Sequence, residues 1–117
     1  MSATVAIKLN KEFQRAYKRG KSSGSSLLVT YAVKNKLLYS RIGITTSKKL
    51  GNAVERNRCK RVIRASFSSL KECCEPGYDF VFVARHKTKS AKMQLVARDM
   101  RRQLASLGAI KENMGES

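Results

Sequence analysis

Four consecutive apolar residues, Phe80-Val81-Phe82-Val83, follow closely on a Pro76-Gly77 break. A strand wetted on one face alternates apolar and polar side chains. An unbroken apolar run predicts a strand buried on both faces, at the centre of a sheet. The strand is expected over residues 78–84, because Pro76-Gly77 cannot continue a preceding helix and marks a turn. A chain with such a strand must supply neighbours beside it and helices over it.

The remaining pattern supplies candidates. Residues 11–18 read as a short helix, with Asn10 as N-cap and Gly20 as stop. Phe13, Ala16 and Tyr17 fall on one face of it. Residues 21–26 are Gly/Ser-rich and read as a loop. Residues 27–33 read as a strand, with Leu27, Val29, Tyr31 and Val33 on one side and Leu28, Thr30 and Ala32 on the other. Lys34-Asn35-Lys36 resembles a hairpin connection to a partner strand over 38–46. Gly43, inside that strand, signals a bulge or a close approach. A long helix is predicted from 53 to about 71, capped by Asn52 with Glu55 in the capping-box position. An amphipathic helix over 91–107 repeats Met93, Val96, Met100, Leu104 and Leu107 at three- and four-residue steps. The order α-β-β-α-β-α predicts an α/β (α+β) two-layer sandwich. The length of 117 residues suits a single domain, with 1–8 and 109–117 expected to be flexible.

Charge narrows the function. Twenty-five Lys and Arg against eight Asp and Glu give +17, a self-repulsion that a polyanion would offset. With 42% apolar residues the chain is not a disordered basic tail. No apolar run approaches the roughly 20 residues that span a bilayer, and neither a secretory signal nor a lipidation motif is visible. A cytoplasmic nucleic-acid binder is expected. Cys59, Cys73 and Cys74 form no C-x-x-C pair and are expected as reduced thiols. His86, the single histidine, lies in a basic stretch and is expected at the surface or facing RNA.

The positive charge concentrates in residues 48–64, where Glu55 is the lone acid among seven Lys and Arg. On a helical wheel Cys59, Ile63, Ser66 and Leu70 form the core face, with Val62 and Phe67 at its margins. Arg56, Lys60 and Arg64 rise as one column, Asn57 and Arg61 as a second, and Arg58 points further toward solvent. A merely solvated face would mix signs to gain i,i+4 ion pairs. Stacked like charges weaken a helix unless phosphates lie over them, so RNA contact is the better explanation. Arginine forks match phosphate, and Asn57 suits a ribose, a base edge or a hydrated metal ion. Lys48 and Lys49 precede the helix N-terminus, which itself favours anions. Phe13, Tyr17 and Tyr31 fit core packing as well as base stacking beside a basic groove.

Catalytic machinery is missing. The acids Glu12, Glu55, Glu72, Glu75, Asp79, Asp99, Glu112 and Glu116 are scattered, and none forms a metal-binding pair. No phosphate-binding glycine loop exists. Neither a catalytic residue, a protein-held metal nor a small-molecule substrate is expected. A structural RNA-binding protein, such as a ribosomal one, and a duplex-DNA binder inserting the basic helix in a major groove remain as rivals.

Residues 40–65, S-R-I-G-I-T-T-S-K-K-L-G-N-A-V-E-R-N-R-C-K-R-V-I-R-A, strongly resemble the protein subunit of bacterial ribonuclease P. The core K-K-x-G-N-A-V-x-R-N-x-x-K-R-x-x-R is that family's signature. N-K-E-F-Q-R-A-Y-K-R-G resembles its first helix, and residues 78–85 its last strand. The resemblance implies a ribosomal-protein-like sandwich with a left-handed βαβ crossover, where a general rule would favour the right-handed form. It implies a partner, the catalytic RNA, which holds most of the Mg2+ and removes the 5′ leader of precursor tRNA. By position, Arg56, Asn57, Arg58, Lys60, Arg61 and Arg64 match the motif facing that RNA. Phe13, Tyr17 and Tyr31 match the cleft receiving the leader, flanked by Lys48, Lys49, Arg85 and His86. Three departures stand out: Cys59 where Ile or Leu is usual, Ala65 where Glu or Gln is common, and a less basic start before Leu9.

Overall fold

The computed structural model describes residues 4–111. Among them lies a five-stranded sheet: β1 (Val5–Ala6), β2 (Lys21–Gly24), β3 (Leu28–Lys34), β4 (Arg41–Thr45) and β5 (Tyr78–Ala84), in the order β1-β4-β5-β3-β2. The apolar strand β5 is central, as its composition requires. It pairs parallel with β4 and antiparallel with β3. Three helices accompany the sheet: α1 (Asn10–Arg19), α2 (Ala53–Leu70) and α3 (Met93–Ser106). Helix α2 is the crossover that parallel neighbours β4 and β5 need.

Register divides the side chains between two faces. Phe80, Phe82 and Ala84 share one face with Leu28, Ala32 and Ile42, against Cys59, Ile63 and Phe67 of α2 and Val96, Met100 and Leu104 of α3. Phe67, placed at the margin by the wheel, is buried with its ring 5.8 Å from both Phe80 and Phe82. The opposite face carries Tyr31, Val33, Val81 and Val83 beneath Ile7 and the Phe13, Ala16 and Tyr17 side of α1.

Several expectations are corrected. The strands over 27–33 and 38–46 form no hairpin, because β5 inserts between β3 and β4. An apolar strand with two bare edges is satisfied only between two partners. Residues 35–40 therefore bridge over its start. Buried Asn35 accepts from Leu37 N–H at 2.8 Å and donates to Asp79 Oδ1 at 2.9 Å. Ser40 Oγ donates to Glu75 O and accepts from Tyr78 N–H. Strand β4 thus begins at Arg41, and Leu38 is 94% exposed. The stretch read as a loop over 21–26 contains β2, whose Lys-Ser-Ser-Gly sequence is held extended by pairing with β3.

The two ends, expected to be flexible over 1–8 and 109–117, are docked where they are described. Val5–Ala6 pairs with β4, Ile7 is buried, and Ile7 N–H donates to Ile42 O at 2.8 Å. Ala109 is buried, and Ile110 bridges to Cys74. Residues 1–3 and 112–117 lie outside the described residues. Helix α1 starts one residue early, so Leu9 rather than Asn10 stands at the N-cap and its N–H donates to Glu12 at 3.3 Å.

Candidate nucleic-acid interface

The basic helix is fixed at its start by its own sequence. Asn52 Oδ1 accepts from Glu55 N–H at 2.9 Å, and Glu55 Oε1 accepts from Asn52 N–H at 3.0 Å. The predicted capping box is therefore closed in both directions. Gly51 is required beside it: its φ is 155°, and a Cβ there would stand 2.1 Å from Glu55 Oε1. Just before, a 3-10 turn, Lys48–Leu50, sinks Leu50 into the core and leaves Lys48 and Lys49 exposed.

Along α2, Asn57, Arg61 and Arg64 are exposed, while Arg56 and Lys60 are half-buried. Arg56 Nη1 also donates to Gly51 O at 2.7 Å. Arg58 departs from the wheel. Instead of reaching solvent, its guanidinium donates to the backbone carbonyls of Thr88, Lys89 and Ala91. It belongs to the fold's own hydrogen bonding, because α2 packs against the turn His86–Ser90 at that point.

The aromatic side chains meet the cationic column in one groove. Two adjoining hollows, of about 250 and 360 Å³, lie between α1, β4 and α2, and share Phe13, Ile44 and Lys60. Arg64 and Gly43 line the first, Tyr17 and Thr45 the second. Gly43 explains how Phe13 enters: a Cβ at this position would lie 2.5 Å from the ring. The close approach signalled by the glycine is thus the ring of α1 resting on the strand. Tyr17 shares a 2.7 Å hydrogen bond with Thr45 Oγ1 and meets Tyr31 edge-on, ring centroids 5.0 Å apart. Tyr31 stands behind Tyr17, half-buried on the sheet, outside the walls of both hollows. Lys48, Lys49, Arg85 and His86 are likewise outside those walls. They are exposed on the connections that follow β4 and β5.

A buried ion network holds α1 over the sheet. Asp79, fully buried in β5, receives Arg41 Nε at 2.9 Å and Nη2 at 2.8 Å, Asn35 Nδ2 at 2.9 Å and Arg15 Nη2 at 3.4 Å. Arg41 Nη1 also reaches Glu12 Oε2 at 3.0 Å. Burial alone would raise the Asp79 pKa, but hydrogen bonds from Arg41 and Asn35, with the charges of Arg41 and Arg15, hold it below the ordinary carboxylate value. The sequence signal for this network was an acid inside a strand buried on both faces, since such a charge needs a partner.

Among the described residues, no carboxylate lines the groove. Glu12 and Asp79 bind arginines, Glu55 caps α2, and Asp99 pairs with Arg102. Among the described residues no three His, Cys, Asp or Glu side chains gather as metal ligands. Cys59 and Cys74 are buried, and burial pushes the Cys74 thiol up to about 12. No described helix is long and apolar enough to cross a membrane.

The Ribonuclease P family model matches residues 1–108. The chain belongs to the ribonuclease P protein family. The ribonuclease P protein component of Clostridium beijerinckii is 45% identical over 109 residues, covering 87% of each chain. That of Oceanobacillus iheyensis is 35% identical over 118 residues, covering all of this chain and 98% of the relative. The solved ribonuclease P protein of Staphylococcus aureus superposes with a TM-score of 0.81 at 34% identity, covering 93% of this chain and all of that one. As a ribonuclease P protein component, the chain is part of an endoribonuclease holoenzyme acting in tRNA processing.

Proposed function

We propose that the groove between α1, β4 and α2 receives the single-stranded 5′ leader of precursor tRNA, while the exposed Asn57/Arg61 column of α2, its outer column, binds the catalytic RNA together with Arg56. The observation that carries this reading is Lys60 and Arg64 lining the same groove as Phe13 and Gly43. Bases stack on the aromatic wall, and the cations meet the phosphates between them. Tyr17 extends that wall, with Tyr31 bracing it from behind. Arg56, Asn57 and Arg61 face the catalytic RNA. Lys48, Lys49 and Arg85 extend the cationic surface at the end where β4 and β5 finish, with His86 beside them. This division shifts Lys60 and Arg64 toward the leader.

The chain contributes binding and placement, not bond cleavage. Magnesium sits with the RNA, whose phosphates and bases supply ligands that this chain's scattered carboxylates do not. The holoenzyme works in the cytoplasm, where precursor tRNA is made.

The test is reconstitution. The purified chain is expected to be inactive alone and to stimulate cleavage of precursor tRNA at low magnesium once the catalytic RNA is added. Phe13→Ala with Tyr17→Ala should weaken substrates carrying a leader and leave leaderless tRNA unchanged. Equal stimulation by the wild type and by a combined Phe13→Ala, Lys60→Ala, Arg64→Ala variant overturns the groove assignment.

A further inference from the structure

Arg58 sits within the basic motif, yet its guanidinium faces inward. Nη1 donates to Lys89 O at 2.8 Å and Thr88 O at 3.3 Å, and Nη2 donates to Ala91 O at 3.1 Å. Two nitrogens of one side chain thus gather two carbonyls of the turn His86–Ser90 and that of Ala91, which caps it. The turn is fastened on its other side as well. Thr88, fully buried, donates to Leu27 O at 2.6 Å, and its hydroxyl accepts from Arg85 N–H at 2.9 Å. The segment between β5 and α3 is therefore pinned to α2 by Arg58 and to Leu27, the residue before β3, by Thr88. Lys89 adds a 3.8 Å ion pair with Glu55 at the α2 cap. What remains outward is basic: Arg85 and Lys87 are exposed on either side of an exposed His86.

We infer that this turn is a rigid phosphate-binding element of the RNA interface, with Arg58 and Thr88 as its positioning residues rather than RNA ligands. The inference rests on the RNA-interface reading of α2. A short loop carrying Arg85 and Lys87 would pay ordering entropy on each binding event if it were free. Pinning it in advance removes that cost and fixes the spacing of its charges from Arg61 and Lys49. The planar fork matters here, because an ammonium keeps the charge but cannot reach three carbonyls in one plane. A phosphate-contacting arginine would tolerate lysine far better than this clasp.

The experiment is a mutant cycle on the full chain, measuring affinity for the ribonuclease P catalytic RNA, with circular dichroism and Tm to verify folding. Arg85→Ala with Lys87→Ala should weaken binding, and Arg58→Lys should weaken it by roughly tenfold although no charge is lost. The combination of all three should bind no worse than the Arg85/Lys87 variant, since Arg58 acts only through the turn. Thr88→Val, a buried and uncharged change, should reproduce the Arg58→Lys loss and show the same coupling. Additive losses, or wild-type binding by Arg58→Lys or by the Arg85/Lys87 variant, overturn the inference. Arg61→Ala separates the two readings. If it weakens binding while the turn variants do not, the interface on α2 stands and the turn assignment fails. If Arg61→Ala binds as wild type while the turn variants remain coupled, the turn assignment stands without the outer column.

Discussion

Asp79 is the one charged residue of β5, and it stands where water does not reach. Removing its charge leaves Arg41 half-enclosed with Glu12 as its remaining partner. Asp79→Asn is therefore expected to cost about 3 kcal/mol in urea unfolding at neutral pH. Its pH dependence follows from the lowered pKa. A carboxylate that ionises more readily when folded stabilises fully above the unfolded value of about 3.9, and loses that contribution as pH falls through its folded value. The stability gap between wild type and Asp79→Asn should stay level above about pH 5 and close in stronger acid. A second residue-scale test is Gly43→Ala. The new methyl would overlap the Phe13 ring, so the ring must leave the strand. A loss of about 1–3 kcal/mol in unfolding free energy is expected, with weaker leader binding. That Gly43 mattered was legible from a glycine inside a strand; that Phe13 was its neighbour was not, because the contact joins α1 to β4. Arg58 was misplaced for the same reason. A wheel knows its own helix and not the carbonyls of a turn thirty residues on.

At the scale of elements, those with strong internal signals were readable. Helix α2 announces its start by Asn52 and Glu55, and its core face by Cys59, Ile63 and Leu70. The apolar run of β5 predicts a centre, and the centre is where it lies. Strands defined by their partners were not readable. Val5–Ala6 is two residues long, and Lys21–Gly24 has a turn-like composition, so each is extended through pairing rather than propensity. The false hairpin between β3 and β4 arose because adjacency in sequence is the default expectation for adjacent strands. It fails here because β5 needs both neighbours. The α2 cap offers an element-scale test. Asn52→Ala removes the acceptor for Glu55 N–H and should lower stability by about 1 kcal/mol, read as a fall in Tm. Fraying the first turn also loosens Arg56 and the Glu55–Lys89 pair, so affinity for the catalytic RNA should drop in parallel.

Across the whole molecule, the surplus of +17 is arranged by topology. The parallel strands β4 and β5 finish at the same end, which brings Lys48, Lys49, Arg85 and His86 to the side where α2 begins. The groove along α2 then sets Lys60 and Arg64 beside aromatic rings that the sequence placed on a separate element. Composition alone announced a polyanion binder, but only the fold shows cation and aromatic sharing one wall. The two kinds of contact differ in their response to salt, and that difference tests the arrangement. About five phosphate contacts on single-stranded RNA give a log–log slope near −3.5, roughly a hundredfold loss of affinity from 50 to 200 mM salt. Lys60→Ala or Arg64→Ala should weaken leader binding and flatten the slope by about 0.7, as one counterion fewer is released. Phe13→Ala or Tyr17→Ala should weaken binding by roughly 1–3 kcal/mol per lost stack at every salt concentration, with the slope unchanged. A flattened slope for the aromatic variants, or an unchanged one for the cationic pair, would mean that bases and phosphates do not share the groove.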